Sequence, residues 1–129
     1  MSSKFELYPI GTVRSLAREH AQIEIYGQFL PALKGIEKFS HLWVLFWMHK
    51  VSGTSREVLQ AYPMGNITKE KMGVFALRSP VRPNPIGLTR VKLIERRKNV
   101  LVVEGLDALD GTPVLDIKPY MEVVINADL

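Results

Sequence analysis

Three prolines at every second or third position, Pro80, Pro83 and Pro85, constrain this chain more than any other feature. They sit in Gly73-Val-Phe-Ala-Leu-Arg-Ser-Pro-Val-Arg-Pro-Asn-Pro-Ile-Gly-Leu-Thr89. Each proline fixes its own φ and pushes the residue before it toward extended geometry. Ser79, Arg82 and Asn84 are therefore all biased to β or polyproline conformations. The segment can be neither a helix nor a central strand. It is predicted to be a stiff extended loop presenting Arg78, Ser79, Arg82 and Asn84 at nearly fixed spacing, with Gly87 allowing a sharp bend or a close backbone approach. A rigid connector with solvated arginines has this composition, and so does a preorganised polar loop for an anionic or heterocyclic ligand. Stiffness favours binding, because a loop already ordered loses less entropy when it meets a ligand.

A chain of 129 residues suits one domain and one core, and with 47% hydrophobic residues it is expected to fold. The net charge of +4 is unevenly placed. Residues 78 to 98 hold seven bases against one acid, Glu95, whereas residues 100 to 129 hold six acids against one base, Lys118. That asymmetry predicts a basic patch, a surface that suits nucleic acid. The chain has no cysteine, which excludes a disulfide framework, a thiolate nucleophile and a cysteine zinc site. The opening Met-Ser-Ser-Lys-Phe-Glu lacks the apolar core of a signal peptide, and the longest apolar run, Leu42 to Met48, is far short of the ~20 residues of a spanning helix. A protein without a membrane segment, located in the cytoplasm, is expected.

The hydrophobic pattern reads as short strands. Phe5 to Val13 predicts a first strand, interrupted or at an edge at Pro9, with Gly11 marking a bulge. Gln22 to Tyr26 alternates and predicts a half-buried strand ending at Gly27. One helical turn is expected at Pro31 to Lys34. Ser40 to His49 is apolar on both faces and predicts a central strand covered on both sides, with a buried helix of two turns as the alternative. Ser55 to Ala61 predicts a short helix, and Met64 to Asn66 a turn. Ile86 to Arg97 and Asn99 to Leu106 form a hairpin whose turn is placed near Asn99, which tolerates positive φ. In its first strand Leu88, Arg90 and Lys92 share one face, opposite Thr89, Val91 and Leu93. Asp110-Gly111 is a turn signal, Thr112 to Ile117 a strand stopped by Pro119, and Met121 to Ile125 a last apolar run. Strands this short, with turns about every ten residues, predict a mainly β chain: a single-domain β-barrel over 1–129 with minor short helices.

Several chemistries have no support. There is no Walker loop, no Gly-x-Gly-x-x-Gly fingerprint and no Gly-x-Ser-x-Gly elbow. His41 and His49 lie roughly 26 Å apart if joined by a strand, too far to share a metal, so no metal site is expected. A second dense polar cluster does occur, Leu109-Asp-Gly-Thr-Pro-Val-Leu-Asp-Ile-Lys-Pro-Tyr120. It combines a tight turn, a hydroxyl, a carboxylate, an amine and a phenol. Asp116 lies within its strand on the same face as Lys118, and the two are expected to pair.

This cluster, the proline segment Gly73 to Leu88, the run Gly35-Ile-Glu-Lys-Phe-Ser-His-Leu-Trp-Val-Leu-Phe46 and the opening Tyr8-Pro-Ile-Gly-Thr-Val-Arg-Ser15 together resemble the TrmO family, also called YaeB or TsaA-like. The match is in order and covers nearly the whole chain. It departs from the family at Leu77, where threonine is common, and at Val81, where an aromatic is common. The resemblance implies a β-barrel enzyme outside the Rossmann-type methyltransferases, working as a homodimer. It implies S-adenosyl-L-methionine as cofactor and tRNA as partner, with methylation of the exocyclic amine of threonylcarbamoyl-adenosine beside the anticodon. Carried over by motif, the cofactor contacts fall on His49, Lys50, Arg78, Leu88, Leu109, Asp110, Gly111 and Thr112.

Read as chemistry, arginine or lysine suits the cofactor's carboxylate, and backbone amides at a turn suit that carboxylate or the adenine edge. The amine nucleophile needs an acceptor to orient it, for which Asn84, held between Pro83 and Pro85, is the candidate; loops of the Asn-Pro-Pro type in other amine methyltransferases are an analogy across unrelated folds. Arg82, Arg90 and Lys92 are placed for RNA phosphates. Two alternatives stay open: a module that binds S-adenosylmethionine without transferring its methyl, and a plain RNA-binding barrel.

Overall fold

A computed structural model describes residues 3–15, 20–50 and 53–121. Among these are eight strands and five short 3-10 segments: β1 Gly11–Ser15, β2 His20–Ile25, β3 His41–Trp47, β4 Gln60–Ala61, β5 Met72–Gly73, β6 Ile86–Arg97, β7 Val100–Glu104 and β8 Pro113–Pro119. Two compact units are formed, one from residues 1–46 and 88–129, the other from residues 47–87.

Six strands close into a barrel in the order β1-β2-β7-β6-β3-β8. Closure follows from strand lengths and alternation. In β2, β3 and β7 every second residue is buried, which supplies one continuous apolar lining. Ile23, Ile25, Leu42, Val44, Val91, Leu101, Val103 and Val114 fill the interior, each no more than 2% exposed. A closed sheet also leaves none of these strands with an open edge.

The first predicted strand begins late: Phe5 to Ile10 are not in a strand, and Phe5 is exposed. Gly11 is in register with Ile25 rather than in a bulge. Its role is close approach, since a Cβ there would collide with the main-chain carbonyl of Glu24. β3 is sealed on one face only; Leu42, Val44 and Phe46 are buried while His41, Trp43, Leu45 and Trp47 are half-buried. The outer face is apolar because it carries its own aromatic packing, with Trp43 edge-on to Tyr120 at a centroid distance of 5.5 Å.

The β6–β7 hairpin forms with the predicted facing: Leu88, Arg90 and Lys92 are exposed and Val91 is buried. The left-handed residue at its turn is Lys98 (φ 57°), not Asn99. Asn99 is committed elsewhere: its Nδ2 donates to the Ile25 carbonyl and its own carbonyl accepts from the Ile25 amide, both at 2.8 Å. Arg96, beside the turn, donates to the carbonyls of Lys98 and Leu33 and to Glu37. The Glu37 carboxyl lies below its ordinary pKa, first through its own backbone amide and then through Arg96. Asp116 and Lys118 pair at 3.3 Å as the sequence predicts. β8 runs two residues past Ile117, with Pro119 as its last residue.

The expected helix at Pro31 is part of a 3-10 segment over Gly27–Leu33, and that at Ser55 is a 3-10 segment over Gly53–Glu57. Met64 takes a left-handed φ of 51° within the 3-10 segment Pro63–Gly65. The predicted apolar run Met121 to Ile125 lies outside the described residues beyond Met121.

Gly11→Ala is expected to destabilise the barrel by about 1–3 kcal/mol, because the obstacle is backbone and cannot rotate away. Chemical denaturation measures this, and an unchanged midpoint would contradict the close-approach reading.

Candidate functional site

In the unit formed by residues 47–87, the proline segment is a fixed loop. Two arginines hold it, Arg82 from within the segment and Arg56 from outside it. Arg82 donates from Nη1 to the carbonyls of Leu77 and Ser79 at 3.0 and 3.1 Å. Arg56 donates from Nε to the Pro83 carbonyl at 2.6 Å and from Nη2 to Asn84 Oδ1 at 2.9 Å. The Arg56 guanidinium lies over the Trp47 ring, 5.5 Å from its centroid. Ser79 adds a local brace, its Oγ accepting from the Val81 amide at 3.2 Å. Pro85 is fully buried and its carbonyl accepts from the Met48 amide at 2.8 Å. Gly87 provides no sharp bend; it is a buried residue of β6.

This bonding distributes the sequence-predicted residues. Arg82 is half-buried with its guanidinium turned onto the loop's own carbonyls. Asn84 and Arg78 are exposed. Arg78 lines a cavity of about 620 Å³ together with Tyr62, Pro63, Met64, Gly65 and Leu77. It is an open surface groove, with Met64 and Arg78 exposed, and its lining joins apolar side chains to one guanidinium. Lys71 lies over the Tyr62 ring at 5.6 Å, so the cavity's aromatic wall carries a cation as well. His49 and Lys50 follow β3 in a turn, His49 half-buried and Lys50 exposed.

In the barrel unit, the Asp110-Gly111 corner is tied to β1. Gly111 takes φ 82°, a conformation that favours glycine. Its amide donates to the Val13 carbonyl at 2.8 Å, and the Val13 amide donates to the Thr112 carbonyl at 2.9 Å. Thr112 is 2% exposed, with both its amide and its hydroxyl donating to the Leu109 carbonyl. Asp110 Oδ1 accepts from the Ser15 amide at 2.9 Å. The amides of Gly111 and Thr112 are thus used within the corner. What it offers a ligand is the exposed Asp110 carboxylate and the Leu109 side chain, which is 59% exposed.

Leu88, Arg90 and Lys92 share the exposed face of β6. Arg90 stacks on the Tyr120 ring at 4.9 Å, and Tyr120 in turn packs on Trp43 and His41. The face is therefore an aromatic–cationic surface rather than a row of isolated charges. His41 Nδ1 pairs with Ser40 Oγ at 2.9 Å. Among the described residues no cluster of His, Asp and Glu could hold a metal ion, and no helix is long and apolar enough to cross a membrane.

Two residues escaped the sequence reading. Arg56 lies 28 positions from Asn84 in a stretch read only as a short helix, and no local signal marks the contact. Tyr62 lies between the expected helix at Ser55 to Ala61 and the turn at Met64 to Asn66, where no motif marks it.

The chain thus combines a closed six-stranded β-barrel with a proline loop clamped by two arginines. Residues 6–125 match the tRNA-methyltransferase O N-terminal domain, and the chain belongs to that family. It is 42% identical to a probable S-adenosyl-L-methionine-binding protein of Methanothermobacter thermautotrophicus, over 92% of each chain. It is 43% identical to the tRNA (adenine(37)-N6)-methyltransferase of Escherichia coli, over 86% of this chain and 48% of that one. The crystal structure of TrmO from Pseudomonas aeruginosa superposes with a TM-score of 0.72 at 33% identity, over 98% of this chain and 61% of that one. The chain thus spans about half the length of the Escherichia coli enzyme but nearly all of the archaeal protein.

Arg82→Ala should leave the barrel intact and speed amide exchange across residues 79–86 by roughly tenfold or more, since it removes charge-assisted bonds of about 1.5–3 kcal/mol. Unchanged exchange there would mean that the loop is held without Arg82, by the prolines and Arg56.

Proposed function

We propose that this chain is an S-adenosylmethionine-dependent methyltransferase acting on the exocyclic N6 amine of adenosine in tRNA, with threonylcarbamoyl-adenosine next to the anticodon as the target. The observation that carries this reading is the loop in which Pro83, Pro85 and two arginines hold Asn84 exposed in one place. Family membership and the names of the bacterial and archaeal relatives support it.

When bound, the cofactor supplies a methyl group already activated on a sulfonium. The protein's task is then alignment more than acid–base chemistry. Arg78, on the rim of an open groove lined by Tyr62, Pro63 and Leu77, suits the cofactor's carboxylate. Cofactor contacts are also proposed for His49 and Lys50, for Leu88, and for Leu109 and Asp110 of the corner, whose shape Gly111 and the buried Thr112 hold through their bonds to Val13 and Leu109. Because the corner's amides are used internally, its polar contribution is assigned to the Asp110 carboxylate, which suits ribose hydroxyls. Asn84 Oδ1 accepts from the N6 amine and fixes its direction. Arg90 and Lys92 meet phosphates. Arg82, which the sequence placed with them, holds the loop.

A homodimer is part of the proposal. Met64, Ile67 and Phe75 are each at least 77% exposed, apolar surface of the kind that self-association covers. Residues 1–129 are read as one functional domain, and a cytoplasmic location follows from the substrate.

A second reading is favoured by the archaeal relative of nearly equal length, whose name records cofactor binding alone: a module that binds S-adenosylmethionine without methyl transfer. Labelled cofactor added to bulk tRNA from a strain lacking this protein separates the two. Transfer of label to tRNA is expected, and Asn84→Ala should lose turnover while keeping cofactor affinity by calorimetry. Cofactor binding without any labelled tRNA would favour the sensor, and parallel loss of affinity and turnover in Asn84→Ala would remove Asn84 from catalysis.

A further inference from the structure

We propose that Arg56 is a positioning residue that sets the orientation of the Asn84 carboxamide, an inference that rests on the methyltransferase reading and deepens it. The guanidinium fork spans two successive oxygens, the Pro83 carbonyl at 2.6 Å and Asn84 Oδ1 at 2.9 Å. It has donors and no acceptor, so the oxygen of the carboxamide must face Arg56 and the Nδ2 group must face away. One lone pair of Oδ1 is taken and one is left. The bonded pair of oxygens also ties side chain to backbone: the loop cannot shift at Pro83 without disturbing Asn84.

Arg56 is itself held by stacking on the Trp47 ring, 5.5 Å from the centroid. The prolines fix the backbone on either side of Asn84, but no proline acts on its side-chain torsions. Asn84 is exposed, and without a partner its carboxamide would sample several rotamers and both faces. Arg56 removes that freedom. A lysine could stack on Trp47 and reach one oxygen, but its ammonium is not a planar fork and cannot hold both. If Arg56 merely stapled the loop, any cation bonding the Pro83 carbonyl would serve.

The test uses the full chain with labelled S-adenosylmethionine and tRNA from a strain lacking this protein. Arg56→Ala should lower kcat about 10- to 100-fold, the cost of misplacing a reacting group, with KM for tRNA and cofactor affinity within about twofold. Arg56→Lys, which keeps the cation, should recover only a small part of kcat. Added guanidinium should restore part of the Arg56→Ala rate. On an Asn84→Ala background, Arg56→Ala should have no further effect on kcat.

Wild-type kcat in Arg56→Ala or Arg56→Lys would overturn the proposal, as would a further loss on the Asn84→Ala background. The two failures separate cleanly. If Asn84→Ala loses turnover and Arg56→Ala does not, Arg56 alone is wrongly assigned. If Asn84→Ala keeps full turnover, the assignment of Asn84 fails first and takes the role of Arg56 with it.

Discussion

The grip of two arginines on the carbonyl oxygens of a proline-rich loop is the interaction on which the proposed chemistry depends. Prolines remove backbone freedom but also remove amide donors, so a loop with three of them has few ways to bond to itself. Its carbonyls are left as acceptors, and Arg56 and Arg82 supply the missing donors from side chains. Charge-assisted bonds of this kind are stronger than neutral ones and orient their partners. The loop is therefore stiff for two reasons that reinforce each other: restricted torsions from the ring constraints and directed bonds from the guanidinium groups.

The barrel performs a complementary task by ordinary means. Alternating burial closes six strands around an aliphatic core, and the corner at Asp110-Gly111 is stitched to β1 by backbone bonds and by the Asp110 carboxylate on the Ser15 amide. The outer face of β6 and the neighbouring aromatics remain on the surface, where Arg90 lies on Tyr120. Aromatic and cationic groups arranged in this way suit nucleic acid, because one contributes stacking and the other phosphate attraction.

Much of this was legible in the sequence, and the reason is local physics. The β6–β7 hairpin, the exposure of Leu88, Arg90 and Lys92, and the Asp110-Gly111 turn all follow from alternation and turn chemistry within a few residues. The failures share a different cause. Arg56 was missed, Arg82 was placed on the surface and the corner's amides were offered to a ligand, because each depends on a partner distant in the chain or on a carbonyl that sequence cannot locate. Gly11 belongs with them: a close approach to Glu24 across the sheet looks, in sequence, like a bulge. At the hairpin turn, Asn99 was the better left-handed residue by propensity, yet Asn99 bonds to Ile25 across the sheet and Lys98 takes the left-handed conformation.

Ligand-free order in the proline loop is the property on which the rest turns. Backbone nitrogen-15 relaxation of the free protein measures it directly at Ser79, Arg82 and Asn84. Order parameters near 0.85, like those of a rigid backbone, are expected without any ligand, and values below about 0.6 would contradict a loop built in advance of its substrate.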